Sequence, residues 1–161
     1  MTVEFLFNAA NLFVLPFWTL MVVLPNWQIS RRVMKSFLPF VALALAYLYC
    51  FINSVSPDTA QDFSSAGLSD IARLFADERV AATGWIHFVV MDLFVGRWIY
   101  WDGQQSKLFT RHSLALCLFA GPLGLLSHIL TRWGVQWFRQ RRDDGSPDEK
   151  AEDAGAIADA S

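Results

Sequence analysis

The chain has 161 residues, 54% hydrophobic and 17% charged, with a formal net charge of −2 and a mean hydropathy of +0.32. A soluble domain carries nearer a quarter charged residues, so the composition is that of a membrane protein, and the slightly acidic balance argues against a nucleic-acid partner. Two cysteines (Cys50, Cys117) without zinc-ligand spacing, three scattered histidines (His87, His112, His128) and no phosphate loop or dinucleotide fingerprint argue against a metal or a bound cofactor.

The first apolar stretch, residues 5–25, is long enough to cross a bilayer, which takes about 20 residues. It lacks a basic leader and a cleavage site, so it is expected to remain in the mature protein. No transit peptide precedes it, which fits a bacterial inner membrane. Asn8 and Asn11 share one face, suited to an interhelical hydrogen bond or to a ligand, and Pro16 should kink the span. A basic loop, 26–36, carries Arg31, Arg32 and Lys35. The second span, 37–55, has Pro39 in its first turn, an aromatic second half and Asn53 at its end. Residues 56–79 form the one long internal loop, opening on the turn signal Ser-Pro-Asp. Within it Leu68, Ile71, Ala72 and Phe75 recur at helical spacing, which predicts an amphipathic helix on the membrane surface or capping the bundle.

The third span, 80–101, carries His87, Asp92 and Arg97. Ionisable groups in hydrocarbon are costly and mark functional sites or helix–helix glue. At roughly 100° per residue, His87 and Asp92 lie about 140° apart, and Arg97 about 140° further on. Such a helix belongs inside a bundle, touching several partners. Arg97 either pairs with a carboxylate or reaches the interface. Trp98, Tyr100 and Trp101 mark the exit as an aromatic belt would, and Asp102-Gly103 reads as the terminating turn. The fourth span, 113–131, holds Gly121-Pro122-Leu123-Gly124 at mid-depth. Proline frees a carbonyl and glycines admit a neighbour, so either close packing or a broken helix beside a ligand cavity is expected. Arg132, Arg139, Arg141 and Arg142 follow, and 139–161 reads as a disordered acidic tail.

The predicted fold is all-α: a four-transmembrane-helix antiparallel bundle over residues 1–138, with an amphipathic surface helix between spans two and three. Threaded this way, the basic first loop and the basic residues after Thr131 fall on opposite sides. The positive-inside rule therefore gives no orientation. Depth counted at 1.5 Å per residue puts His128 about 5 Å, His87 about 10 Å and Asp92 about 18 Å below one surface. Asn8, Asn11, Asn53, His87 and His128 would then converge on one half of the bundle, with Asp92 as its floor. Cys50 and Cys117 would lie roughly 13 Å apart in depth, too far for a disulfide. An acid, an imidazole and amides among aromatic walls suit proton transfer on an apolar ligand.

Several runs carry a resemblance. They are Gly84-Trp85-x-His87, Asp92-Leu93-Phe94-Val95-Gly96-Arg97-Trp98, Asp102-Gly103 and Gly121-Pro122-Leu123-Gly124-Leu125-Leu126-x-His128, with Asn8, Asn11, Pro16, Trp18 and Pro25 in the first span. Over residues 5–133 the chain resembles the abscisic-acid-deficient-4-like family of plant plastids and bacteria. Plant members are implicated in making neoxanthin from violaxanthin, an isomerisation that opens an epoxide and creates an allene. The resemblance implies a carotenoid-modifying isomerase using non-redox acid–base chemistry. The resemblance carries over no catalytic set; on the reading of the residues themselves, Asp92 would be the proton donor and His87 the base or relay, with Asn8, Asn11, Asn53, His128, Arg97 and Trp85 around the substrate. The expected partners are an apolar isoprenoid or carotenoid, the lipid bilayer, and a second copy or a carotenoid-enzyme complex. A non-catalytic carotenoid-binding or assembly subunit is the alternative, and a proton or small-solute conductor the weaker one.

Overall fold

The computed structural model describes residues 2–54 and 67–144, and among these the secondary structure is entirely helical. In chain order the helices are α1 (Val3–Val22), α2 (Gln28–Lys35), α3 (Leu38–Ser54), α4 (Leu68–Leu74), α5 (Glu78–Ser106), α6 (Arg111–Phe119) and α7 (Gly121–Asp144). Local sequence sets their ends. Thr2 caps α1 by accepting the Phe5 N–H at 3.3 Å. Asp77 caps α5 by accepting the N–H groups of Arg79 and Val80 at 2.8 and 3.3 Å. The end of α5 is a left-handed residue, Lys107, after which the Leu108 N–H turns back to the Gly103 carbonyl at 3.0 Å, satisfying an orphan carbonyl as a Schellman-type stop does. The Asp102-Gly103 pair therefore does not terminate this helix; α5 runs through it to Ser106.

α5 is the axis of the molecule, packing against α1, α3, α6 and α7, as its polar groups on several sides require. Its Ile86, Leu93, Ile99 and Tyr100 are fully buried with Met21 of α1, Leu43 of α3 and Leu114 of α6. The Trp18 ring lies flush on Gly96, where a Cβ would sit 2.5 Å from the indole. Outward-facing positions are apolar too, including Leu12, Leu45, Ile52 and Leu116. α1 and α5 are each long and apolar enough to cross a membrane, and α2 with α3, bent by 46°, pass the same test as a pair. The amphipathic helix read in the long loop is present as α4, with Gly67 N–H donating to Asp70 Oδ2 at 3.1 Å. Phe75, just beyond it, covers Gly84.

The fourth span is corrected. Residues 113–131 are not one crossing helix but a helical hairpin. α6 stops at Phe119, Ala120 is extended (φ −158°, ψ 92°), and α7 doubles back beside α6. Ser113 Oγ and Ser127 Oγ are 3.0 Å apart, and His112 Nε2 and Thr131 Oγ1 are 3.0 Å apart; in a continuous helix the two serines would be about 21 Å apart. The cause is Gly121-Pro122-Leu123-Gly124. Inside a helix the Pro122 ring would clash with the carbonyl four residues back and leave it unbonded. Gly124 lets the arms close, since a Cβ there would stand 2.5 Å from the backbone N and Cα of Cys117.

α7 continues past residue 138 to Asp144. The rest of the acidic tail, and the loop residues 55–66, lie outside the described residues. Cys50 and Cys117 are buried free thiols.

Candidate functional site

Two polar stripes face each other between α1 and α5. On α1, Asn8, Asn11 and Leu15 follow helical spacing; on α5, Trp85, Phe88 and Asp92 do the same. Residues at i, i+3 and i+7 share a helix face. Between the stripes, closed at one end by Leu118 and Phe119 of the hairpin tip, is a groove of about 530 Å³. Trp85 Nε1–H donates to Asn11 Oδ1 at 2.9 Å. The Asn11 amide N–H donates to the Phe7 carbonyl at 2.8 Å, which fixes the orientation of the amide. Asp92 is the floor of the groove. Its carboxylate lies against the backbone of Gly121, where any Cβ would collide with it. That is the first residue of α7, at the positive end of the helix, which favours a negative charge.

His87 is on another face of α5, in a second groove of about 290 Å³ whose wall includes Tyr47, Phe51, Ser54, Phe75 and Thr83. Its ring packs with Tyr47 at 5.7 Å and Phe88 at 6.2 Å between centroids. Phe88 lines both grooves and divides them. Ser54 Oγ and Thr83 Oγ1 are 3.1 Å apart at this end.

The remaining expected site residues lie elsewhere. Asn53 donates to the Tyr49 carbonyl of its own helix at 2.7 Å. Arg97 Nε donates to the Met34 carbonyl at 2.7 Å, its guanidinium 4.3 Å from the centre of the Phe37 ring. It ties the end of α2 to α5 and, among the described residues, meets no carboxylate. His128 is fully buried at the far end of α5. There its Nε2 is 2.9 Å from Asp102 Oδ2, and Arg132 pairs with the other carboxylate oxygen. Trp98 presents edge-on to the imidazole at 5.3 Å.

The structure thus brings Asn8, Asn11, Trp85 and Asp92 together and leaves His87, Asn53, Arg97 and His128 outside. The expected convergence of His128 with Asn8, Asn11 and His87 is corrected for a geometric reason: a hairpin sends α7 back along the outer half of α5, whereas a fourth crossing would have carried His128 to the opposite end. Asp102 was missed as a side-chain partner because Asp-Gly reads as a turn. The signal that finds it is the His128–Arg132 spacing of four, two cationic-type side chains on one face needing an acid. Among the described residues no three His, Cys, Asp or Glu side chains gather as a metal site would require. What the first groove offers is one carboxyl at mid-helix depth and two amides, one of them held by the Trp85 indole N–H, within apolar walls.

The profile of the ABA DEFICIENT 4-like family matches residues 5–128, a stretch that contains both grooves, the hairpin tip and His128. Over 124 residues the chain is 41% identical to Protein ABA DEFICIENT 4, chloroplastic, of Arabidopsis thaliana; the alignment covers 74% of this chain and 56% of that protein. The chain therefore spans about half the length of the curated relative it matches. No solved structure matches it.

Proposed function

The chain belongs to the ABA DEFICIENT 4-like family, and from that premise we propose that it is an integral membrane protein, crossing the bilayer three times with a re-entrant hairpin, that isomerises an epoxide-bearing xanthophyll. The observation that supports this reading best is Asp92: a carboxyl at mid-helix depth on the floor of an aromatic-walled groove with Asn8, Asn11 and Trp85. A polyene fits such walls, and the amides suit the hydroxyl of its ring.

The chemistry balances on one carboxyl. Protonated Asp92 gives its proton to the epoxide oxygen, and a C–O bond breaks. The carboxylate left behind takes the proton from the adjacent vinylic carbon, whose C–H electrons form the new cumulated double bond. Asp92 ends protonated and no electrons are exchanged with any partner. General acid–base assistance of this kind contributes typically about 10²–10⁴-fold. His87, across Phe88 in the second groove, is assigned no proton in this scheme.

The test is incubation of the purified full-length chain with an epoxy-xanthophyll, followed by chromatography and mass spectrometry. A product of equal mass and new retention supports the isomerase. Pigment that stays bound and unchanged overturns it in favour of the second reading, a carotenoid-holding subunit. That second reading has its own observation: Asp92 already has a structural occupation against Gly121 at the start of α7. The expected bacterial inner-membrane setting is kept as part of the proposal; the Arabidopsis relative is described as chloroplastic.

A further inference from the structure

The hairpin decides which charges share a membrane side. α2, the α5–α6 turn and the outer half of α7 meet at one end of the bundle. Tyr100 Oη–H donates to the Pro25 carbonyl at 2.8 Å, and Arg31 Nη2 to Gln104 Oε1 at 3.0 Å. Arg111 reaches the Val23 carbonyl and Arg139 the Ser106 carbonyl, each at 3.5 Å. A fourth crossing would have separated these segments; the returning arm joins them.

Their charge is one-sided. α2 supplies Arg31, Arg32 and Lys35, and the turn supplies Lys107 and Arg111. α7 adds Arg139, Arg141 and Arg142 beyond Arg132, which Asp102 holds. Against them stand Asp143 and Asp144 and, in the sequence beyond the described residues, Asp148, Glu149, Glu152, Asp153 and Asp159 with Lys150; orientation follows the Lys and Arg count next to the membrane, to which acidic residues contribute little. At the other end, among the described residues, Glu4, Asp70, Asp77 and Glu78 outnumber Arg73 and Arg79.

The aromatic side chains agree in depth. Gly121 touches Asp92, the middle of the apolar part of α5. From there α7 climbs about 1.5 Å per residue, so Trp133 lies about 18 Å out, Trp137 about 24 Å and Arg139 about 27 Å. The hydrocarbon half-thickness is about 15 Å, with a headgroup layer of roughly 5–7 Å beyond it. Trp133 is therefore at headgroup level, Trp137 at its outer margin and the arginines just outside. Both tryptophans are exposed, and the Arg141 guanidinium is 3.9 Å from the centre of the Trp137 ring. This is how an interfacial belt and its cationic rim are layered.

We infer that this end is a platform lying on the anionic phospholipid headgroups of the cytoplasmic leaflet, with the start of α1 and α4 on the opposite side. Juxtamembrane cations gain attraction from an anionic leaflet and set orientation. The inference rests on the three-crossing part of the proposed reading and is independent of any chemistry at Asp92.

The experiment uses the full-length chain in a bacterial inner membrane, with cysteine introduced singly by Ser69→Cys, Gln105→Cys and Gln140→Cys. An impermeant maleimide is added to intact spheroplasts and then to lysed membranes. The expected result is that Ser69→Cys labels in intact cells, whereas Gln105→Cys and Gln140→Cys label only after lysis. If Gln105 and Gln140 label from opposite sides, the three-crossing reading itself fails. If they label together from outside, the crossings stand and the platform inference is overturned. Replacing Arg31, Arg32, Arg139, Arg141 and Arg142 by Gln, or depleting the host of anionic phospholipid, should each abolish one-sided labelling of Gln105→Cys. Unchanged one-sided labelling in both overturns the charge argument.

Discussion

Asp92 and Asp102 stand ten residues apart on the same helix and meet opposite surroundings. Asp102 is enclosed and accepts from His128 and Arg132, one for each carboxylate oxygen. Asp92 meets no cationic side chain among the described residues; it faces a groove and rests on the backbone of Gly121. The two histidines divide the same way. His128 is fully buried against Asp102, while His87 is exposed among aromatic rings. A carboxylate with a charged or imidazole partner on each oxygen holds a structure together; one with a side facing a cavity is available for chemistry. The contrast is between an intramembrane acid that is satisfied and one that is left addressable.

That contrast can be broken by substitution. The largest effect is expected from Asp102→Ala, which strands a cation and a buried imidazole. Breaking such a pair costs about 3–5 kcal/mol, read as loss of the folded fraction in a denaturant titration in detergent. If Asp92→Asn destabilised the protein as much, the two acids would be alike and the contrast would fall. Instead Asp92→Asn should leave the unfolding midpoint in place and lower conversion of the xanthophyll about 10²-fold or more, equivalent to about 2.7 kcal/mol of barrier.

Gly124→Ala comes next. Its Cβ would sit 2.5 Å from the Cys117 backbone, so the hairpin arms must part, at about 1–3 kcal/mol. Because Asp92 rests on the tip of that hairpin, conversion and stability should fall together, unlike the split expected for Asp92→Asn. The smallest effect is assigned to His87→Ala, with conversion kept within about twofold, since only positioned acid–base groups give the larger factors. A loss as deep as that of Asp92→Asn would mean that the ligand straddles Phe88 and uses both grooves.

Much of the architecture was legible in the sequence. α1 and α5 follow from apolar length, and the 140° between His87 and Asp92 already placed them on different faces, where the structure keeps them in separate grooves. That Trp85 and Asp92 share a face follows from helical spacing; that this face meets Asn8 and Asn11 is tertiary. The hairpin was not legible as such. Nineteen residues, 113–131, are enough for one crossing or for two short arms, and composition is the same in both. What separates them is tertiary: Ser113 meeting Ser127, and Gly124 admitting the backbone of Cys117. Every error about His128 descends from that one choice, as does the conflict between the two basic segments.

The hairpin tip also fixes an order of assembly. Ala120 is extended between the nine-residue α6 and the longer α7; its N–H donates to the Leu116 carbonyl and its carbonyl accepts from Leu123 and Gly124, and any backbone group the break leaves over has no partner in lipid, where it costs several kcal/mol. The nine-residue α6 is about 13.5 Å long and cannot cross a hydrocarbon core of about 30 Å by itself. The arms therefore have to enter the bilayer against a scaffold that already exists, with Asp92 of α5 waiting to meet Gly121. α1 and α5 come first, and the wall supplied by Leu118 and Phe119 comes last. A chain released before residue 121 would display an open trough, and the groove becomes a site only when the final helix has folded back onto it.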